Sequence, residues 1–509
     1  MNQRVNGALL SYVSLFINIG IALAFTPFLL SSLGQSEYGL FNIIGSFAAY
    51  LIILDMGIND SVIRYLIHFR EKGNMTEERN FLAISIIVYF FLATFVALFG
   101  VWLYLSVDAI FNQTLSILEI NSLKTMTIII ITSSVLTIGL NPITAYITTH
   151  ERFAFLTLLR IGSHIITTFI IVVFLIMGYK AIMVVAVTAL MNLVILFYKL
   201  FYAYKHLNLR IKLYRFDFVM IKDLLTYSAP IFVNAVTEQI YWKLDNILLG
   251  SMVGASIVAV YAIGIMFHKY FMSFGTAISK IMVPKIIKQV ERGADSGELL
   301  IILTRVSRVQ AIIVMPILIG IILYGRDFLL LWLGEGYGDA YYIMLLILIP
   351  YSLELIGNIR NVFLEVKRLF WYRVLVIFFI SLLNIVVTIY AIKNWGIIGA
   401  AASTGGALIL GYLAVSFILW FKLKINMFKY WLDLSRGILL AVSTSLILGL
   451  IFSYNAGQSW LSFIVHISVY TLIYSTLIWF IALDDKEKKQ VKTLKLSLIG
   501  KLQKKQKIV

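Results

Sequence analysis

The sequence predicts an all-α polytopic membrane protein with about fourteen transmembrane helices. Of its 509 residues, 61% are hydrophobic and 13% are charged, about half the charged fraction of an average soluble domain. Apolar runs of about 20 or more residues recur along the chain, each long enough to cross about 30 Å of hydrocarbon. The connections between the runs are short, and lysine and arginine concentrate in alternate connections.

The apolar runs give the predicted spans in order. The first run is too long for the h-region of a signal peptide, and no small-residue cleavage site follows it, so we interpret it as an uncleaved first span. The predicted spans cover residues 8–32, 38–67, 80–106, 124–148, 154–178, 181–203, 224–250, 256–284, 301–324, 341–364, 371–392, 397–421, 434–454 and 459–482.

The distribution of basic residues predicts the orientation. With the N-terminus in the cytoplasm, the outside segments carry only Lys124, Lys180, Arg326 and Lys393, and the other loop cations are cytoplasmic. We therefore expect both termini in the cytoplasm and a location in the bacterial cytoplasmic (inner) membrane. Basic loops explain the net charge of +17, so no nucleic-acid partner is predicted. The tail lysines from Lys486 to Lys507 are expected to be solvated or to bind lipid headgroups.

Composition excludes several kinds of chemistry. The chain has no cysteine, which excludes disulfides, iron–sulfur clusters and thiol catalysis. Its six histidines have no metal-binding spacing, and there is no Walker A lysine motif. The outside loops hold few acidic residues for acid–base catalysis. We therefore predict a transporter with no cofactor and no metal, and a membrane glycosyltransferase or polymerase is the remote alternative.

Charged residues inside predicted spans indicate a polar interior. Asp55, Asp60 and Arg64 lie in the second span with no loop signal between them, although each ionised side chain costs roughly 2.5–3.5 kcal/mol on insertion. Asp60 and Arg64 are one helical turn apart and can pair. For each such charge, the alternative is a structural ion pair or a side chain that reaches the interface. The remaining charges of this kind are Arg160, Glu238, Lys243, Asp245, Lys269, Lys280, Glu354 and Arg360.

Four segments resemble motifs of one transporter family. They are LGQSEYGLF at 33–41, LDMGINDSVIRY at 54–65, KLDNILLG at 243–250 (followed by VYA at 260–262) and WGIIGAA at 395–401. In this order, and over nearly the whole chain, the sequence is similar to the Wzx-type oligosaccharide flippases of the multidrug/oligosaccharidyl-lipid/polysaccharide exporter superfamily.

The resemblance implies an architecture and a function. It implies a six-helix bundle at 1–205, a cytoplasmic linker at 206–223, a second six-helix bundle at 224–424, two added helices at 425–483 and a basic cytoplasmic tail at 484–509. The implied function is flipping of undecaprenyl-pyrophosphate-linked oligosaccharides across the bilayer by alternating access. The product would be O-antigen, capsule or exopolysaccharide, with a polysaccharide polymerase and a chain-length regulator as partners. A lipid II flippase and a cation-coupled multidrug exporter of the same superfamily are the alternatives.

The resemblance also suggests roles for the charges within the spans. Arginine and lysine in a cavity can pair with phosphate oxygens, so Arg64 and Lys269 are assigned to the pyrophosphate or sugar head, with Lys243 and Arg360 as secondary candidates. The related lipid II flippase uses basic residues of its second and eighth spans, where Arg64 and Lys269 fall. The acidic residues are candidates for binding a driving cation or for orienting the basic residues: Asp55, Asp60, Glu238, Asp245 and Glu354.

Overall fold

The computed structural model describes residues 3–55, 57–453, 459–485 and 487–489, and these residues form helices and turns without a β-strand. Short helical turns cover Ile53–Asp55, Glu335–Tyr337 and Ile478–Ala482. The helices are α1 (Gln3–Ile52), α2 (Ile58–Glu71), α3 (Met75–Phe111), α4 (Ile117–Gly139), α5 (Pro142–Thr149), α6 (Phe153–Ile176), α7 (Ala181–Leu207), α8 (Phe218–Met252), α9 (Ala255–Glu291), α10 (Ser296–Leu333), α11 (Ala340–Ile356), α12 (Arg360–Val366), α13 (Phe370–Leu423), α14 (Met427–Ser435), α15 (Ile438–Phe452) and α16 (Trp460–Leu477).

Polar residues at the helix ends define where the helices begin and end. Ser116 and Glu119 form a capping box at the start of α4, and Asp295 and Glu298 form another at the start of α10. Each pair satisfies backbone N–H groups that have no partner within the helix. At the end of α7, Asn208 adopts the left-handed conformation that commonly terminates helices.

Many of these helices can cross a membrane. Within the described ranges, eleven are long and apolar enough to span a bilayer, or twelve if the bent pair α14 and α15 is one span. Two long helices are kinked at glycines, α1 at Gly34 and α13 at Gly396. Their halves fall on separate predicted spans. The protein is therefore a multi-pass membrane protein, and the count of fourteen spans stays a prediction.

Helix α3 shows how the chain suits a lipid environment. Phe91, Leu98 and Leu105 are 67–68% exposed and follow one another at intervals of seven residues, so they share one face of the helix. On other faces, Val96 and Phe111 are fully buried. An apolar stripe of this kind would be a liability in water, whereas in lipid it meets acyl chains.

The chain divides into two compact units. Unit 1 consists of the described residues of Met1–Ile265 and Val374–Ala407, and unit 2 of those of Met266–Arg373 and Leu408–Val509. Within unit 1, α1 packs against α4, α6 and α8, while α4 also packs against α3 and α7. The bundle boundaries implied by the family resemblance stay a prediction.

Unit 2 is organised around α10, which packs against α11, α14, α15 and α16. Pro316 interrupts the hydrogen bonding of α10, because proline has no N–H to donate to the carbonyl oxygen of Ile312. The hydroxyl of Tyr474 on α16 donates to that oxygen at 3.1 Å, and the hydroxyl of Tyr470 donates to the Pro316 oxygen at 3.1 Å. Tyr474 thus satisfies the carbonyl group that the proline leaves without its helical donor, and Tyr470 adds a second bond between α16 and α10.

Candidate functional site

The segment that carries Asp55 is a break between two helices. The single span predicted over 38–67 is wrong: α1 ends at Ile52, a turn covers Ile53–Asp55, and α2 begins at Ile58. Gly57 has φ +93°, a conformation that L-residues in helices do not adopt. Its carbonyl oxygen accepts hydrogen bonds from Ser61 Oγ at 3.0 Å and Ser228 Oγ at 2.8 Å. These bonds hold the break against α8.

The three charges of this segment lie in different environments within unit 1. Asp55 is half-buried, and the side-chain amide of Asn141 donates to its carboxylate. Asp60 and Arg64 are exposed, and no ion pair joins them in the structure as described. The guanidinium of Arg64 instead lies over the ring of Tyr227 on α8, 4.7 Å from its centroid. A cation–π contact of this kind holds the charge in place while leaving its N–H groups available to a ligand.

Asp245 is the most deeply buried of the predicted acidic residues. It lies on α8 with only 2% of its surface exposed. The hydroxyl of Tyr261 donates to its carboxylate, and Thr404 Oγ1 donates to the same carboxylate oxygen at 2.9 Å. Asn384 Nδ2 in turn donates to Thr404 Oγ1 at 3.3 Å. Asp245 therefore has a shell of neutral oxygen-bearing groups from α9 and α13, all within unit 1.

Sequence reasoning missed the partners of Asp245. Tyr261 was noted only as part of the VYA segment at 260–262, and Asn384, Thr388 and Thr404 lie in apolar runs where an isolated hydroxyl or amide attracts no notice. The spacing of Asn384 and Thr388 was the available signal, because residues four apart share one helix face. In the structure Thr388 Oγ1 lies 2.7 Å from Ser403 Oγ, which extends the polar face of α13.

The other predicted residues of α8 lie closer to the surface of unit 1. Glu238 is exposed, and its carboxylate accepts a hydrogen bond from Trp242 Nε1 at 2.9 Å. Lys243 is half-buried. Unit 1 thus contains Arg64, Lys243 and four of the five predicted acidic residues.

Unit 2 contains the remaining predicted residues. Lys269 on α9 is exposed. Arg360 is 1% exposed, and its guanidinium forms an ion pair with Glu354. The same guanidinium lies over the ring of Tyr412 at 4.1 Å and donates to Ser416 Oγ at 3.4 Å. Arg360 is therefore enclosed by protein groups, whereas Lys269 is accessible. The side chain of Lys280 lies outside the described residues.

A second polar cluster in unit 2 was also missed. Gln310 is fully buried on α10, and its Nε2 lies within hydrogen-bond distance of Ser279 Oγ (2.7 Å), Leu355 O (3.1 Å) and Asn358 Oδ1 (3.1 Å). Ser279 Oγ donates to Asn358 Oδ1 at 2.6 Å. These contacts join α10 to α9 and to the chain after α11. The residues that form these contacts are too far apart in the sequence to be recognised as partners before the chain folds.

The motif at 33–41 has a structural explanation. Gly34 forms the kink of α1, and Tyr38 is buried just beyond it. Gly39 lies so close to α9 that a Cβ atom there would overlap the carbonyl oxygen of Ala255. The carboxylate of Glu37 accepts a hydrogen bond from the backbone N–H of Ala181 at 3.1 Å. The motif thus sets where α1 bends and how closely it packs on α7 and α9.

Comparison with models of known protein families shows which family the chain belongs to. The model of the family described as polysaccharide biosynthesis protein matches residues 5–290, more than half of the chain. The chain belongs to this family. The matched residues include three of the four motif segments and seven of the nine predicted charged site residues, with Glu354 and Arg360 beyond them.

One protein with a similar sequence is described as a probable flippase. The chain is similar to the probable flippase AglR of Haloferax volcanii, at 30% identity over 178 residues. The aligned stretch is 34% of this chain and 36% of the relative, so the match spans about a third of that protein.

Solved structures identify the fold of this polysaccharide biosynthesis protein. The lipid II flippase MurJ in an inward closed conformation matches with a TM-score of 0.72 and 16% identity, over 92% of this chain and 98% of that chain. An inward-facing MATE family multidrug resistance transporter of the MOP superfamily matches with a TM-score of 0.62 and 11% identity, over 80% of this chain and 95% of that chain. A MOP superfamily transporter from Pyrococcus furiosus matches with a TM-score of 0.57 and 12% identity, over 83% of this chain and 95% of that chain. The predicted all-α polytopic membrane fold is confirmed.

Proposed function

We propose that this protein flips undecaprenyl-pyrophosphate-linked oligosaccharides across the bacterial cytoplasmic membrane by alternating access, with both termini in the cytoplasm. The observation that carries the proposal is Arg64, a permanent cation in a family member with a transporter fold. It is exposed on α2, which lies in the chain between two candidate membrane spans, and Tyr227 holds its guanidinium. A polysaccharide polymerase and a chain-length regulator would then use the flipped unit.

The chemistry of the headgroup suits an arginine at this position. A pyrophosphate cannot cross hydrocarbon without its charge being compensated. The planar guanidinium offers two parallel N–H donors to phosphate oxygens, which a lysine ammonium does not. The exposed ammonium of Lys269 in unit 2 is the second cation that we assign to the headgroup, with Lys243 as a further candidate.

The buried arginine is assigned a different role. Arg360 is enclosed by Glu354, Tyr412 and Ser416, so a headgroup would have to displace these partners. We propose that the ion pair of Arg360 with Glu354 stabilises unit 2.

The surroundings of Asp245 support a role in coupling to a cation. A carboxylate with hydroxyl oxygens beside it can offer oxygen ligands to Na⁺, and the carboxylate can itself take up a proton. Because its partners come from α9 and α13, occupancy of Asp245 would change how these helices are held. We propose that one cation binds at Asp245 and drives the cycle.

Depletion of the protein in its own cells tests the substrate assignment. The lipid-linked oligosaccharide should accumulate in the cytoplasmic leaflet, where membrane-impermeant reagents do not label its sugars. Accumulation of lipid II would indicate a lipid II flippase. Unchanged lipid-linked intermediates with altered dye resistance would indicate a cation-coupled exporter.

Complementation then tests the role of Arg64. We expect Arg64→Ala to abolish export at normal protein levels, and Arg64→Lys to restore only part of it because bidentate binding is lost. Lys393→Ala is the matched control, because Lys393 is an exposed cation of the same unit. Near-normal export by Arg64→Ala would overturn the assignment.

The coupling assignment is tested separately in proteoliposomes with a proton or sodium gradient. Asp245→Asn keeps the size of the side chain and removes its charge, so transport should no longer respond to the gradient. Asp223→Asn, which replaces an exposed acid on the same helix, should respond normally. A normal gradient response of Asp245→Asn would exclude Asp245 as the cation site.

A further inference from the structure

A cavity of about 220 Å³ lies at one end of unit 1, where α2 ends, α3 begins and α7 ends. Arg70 lines it from α2, Glu78 and Arg79 from the start of α3, His150 from the turn after α5, and Arg210 from the chain after α7. Since α3 and α7 are both candidate membrane spans, the cavity lies where two spans end. This is the depth at which lipid headgroups meet a membrane protein.

The cavity carries an excess of positive charge. Its described lining includes three arginines, which stay protonated in proteins, and one carboxylate, Glu78, which is 5% exposed. Burial lowers the pKa of His150 below its ordinary value, and the charges of Arg70 and Arg152 lower it further. The His150 ring is therefore neutral at pH 7. The cavity thus holds three cations against one anion.

One donor inside the cavity wall has no partner. The Nη1 atom of Arg70 is buried and makes no hydrogen bond with the residues that the structure describes. A buried donor without a partner is costly, and the cost is larger for a charged group. Asn208 and Tyr146 also line the cavity, but the Tyr146 hydroxyl already donates to Leu207 O at 3.2 Å. Because Arg70 lines the cavity, an acceptor bound there would give this donor a partner once the side chain turned toward it.

We propose that this cavity binds a phosphate group, carried either by an anionic phospholipid or by a soluble phosphate ester. Phosphate oxygens accept paired hydrogen bonds from guanidinium groups, so two or three converging arginines provide a specific site. The volume holds a phosphate group with several water molecules of about 30 Å³ each. Basic pockets between transmembrane helices recognise lipid headgroups in this way.

The proposed phosphate site is separate from the residues assigned to the transported substrate. Arg64 is not among its lining residues, and neither are the acids assigned to coupling. The site could therefore be occupied throughout the transport cycle and would hold together the ends of α2, α3 and α7. Its test does not depend on transport activity.

The test measures binding to the purified full-length chain after removal of lipid. The chain is placed in nanodiscs of phosphatidylcholine alone or with added phosphatidylglycerol, and retained lipid is identified by native mass spectrometry. In a second arm, inorganic phosphate and glycerol phosphate are titrated into detergent-solubilised protein, and the unfolding temperature is followed. We expect retention of phosphatidylglycerol over phosphatidylcholine, or a rise in unfolding temperature with phosphate, and the arm that responds identifies the source.

Three variants make the result specific. Arg70→Gln combined with Arg79→Gln should abolish the response. Arg210→Gln, which replaces an exposed side chain, should weaken binding about tenfold, as expected for the loss of one charge-assisted contact. Lys72→Gln, an exposed cation at the end of α2 outside the cavity, should bind as wild type. No response in either arm, or equal weakening by Lys72→Gln and Arg210→Gln, would overturn the proposal.

Discussion

The ion pair of Arg360 with Glu354 gives the sharpest quantitative prediction. Replacing Arg360 with methionine would leave Glu354 with the Asn361 amide at 3.5 Å as a hydrogen-bond partner. Breaking a buried pair by removing one member costs about 3–5 kcal/mol. The Glu354 side chain is 23% exposed and the charge of Arg373 also acts on it, so we expect the lower end of that range, about 3 kcal/mol.

The double variant separates the effect of charge on stability from the effect of packing. Glu354→Gln with Arg360→Met removes both charges and keeps side chains of similar length, so most of the lost stability should return, leaving about 1 kcal/mol. Unfolding of the purified protein in mixed detergent and SDS measures the stability of the wild type, the two single variants and the double variant. Arg326→Met, which replaces an exposed arginine of the same unit, is the control for loss of charge alone.

Two results would refute this reasoning. A loss of less than about 1 kcal/mol for Arg360→Met would be the first, because Glu354 would lose the cation that pairs with it directly. The double variant must also be more stable than Arg360→Met alone. If Arg360→Met were stable but inactive in export, Arg360 would contact the substrate, as first predicted from the sequence.

Three further predictions concern packing, a buried amide and pH. Gly39→Ala should lower the unfolding temperature sharply because the new Cβ meets backbone of Ala255, whereas Gly45→Ala, with open space around it, should not. Gln310→Leu should lose about 1–3 kcal/mol in the same SDS titration, since buried polar partners are left unsatisfied. Burial lowers the pKa of His150 in the folded state. The unfolded chain, in which this pKa is about 6.5, therefore binds more protons at His150 than the folded protein, so the stability of the folded protein falls as the pH drops below about 6.5. Melting curves between pH 7.5 and 5.5 should therefore show a smaller loss for His150→Gln than for wild type, and identical curves would contradict the assignment.

The sequence predicted the helical class and the presence of buried charge, because both follow from local composition. Long apolar runs predict spans without knowledge of their neighbours. Asp245 and Arg360 were recognised as exceptional because any ionisable residue in such a run is costly. Whether each charge is exposed, paired or hydrogen-bonded to neutral groups depends on residues brought together by folding.

The break at Gly57 shows why the rest could not be predicted. Glycine within an apolar run is common in membrane helices, so the sequence around it reads as one continuous span. Its positive φ is held by Ser228, which lies 171 residues further along the chain. Likewise, Arg64 was expected to pair with nearby Asp60, but it lies over Tyr227 on a different helix. Local spacing permits a pairing, and tertiary packing selects among the partners.

The discontinuity of unit 1 has a consequence for synthesis of the protein. Thr404 follows Asp245 by 159 residues, and a ribosome adds about 5–20 residues per second. For roughly 8–30 s the nascent chain therefore contains the carboxylate but lacks one of its donors. Tyr261 emerges only 16 residues after Asp245 and can shield the acid during that interval. A chain released before α13 is complete would lack the Thr404 donor, so Asp245 would be buried with fewer hydrogen bonds than in the finished protein.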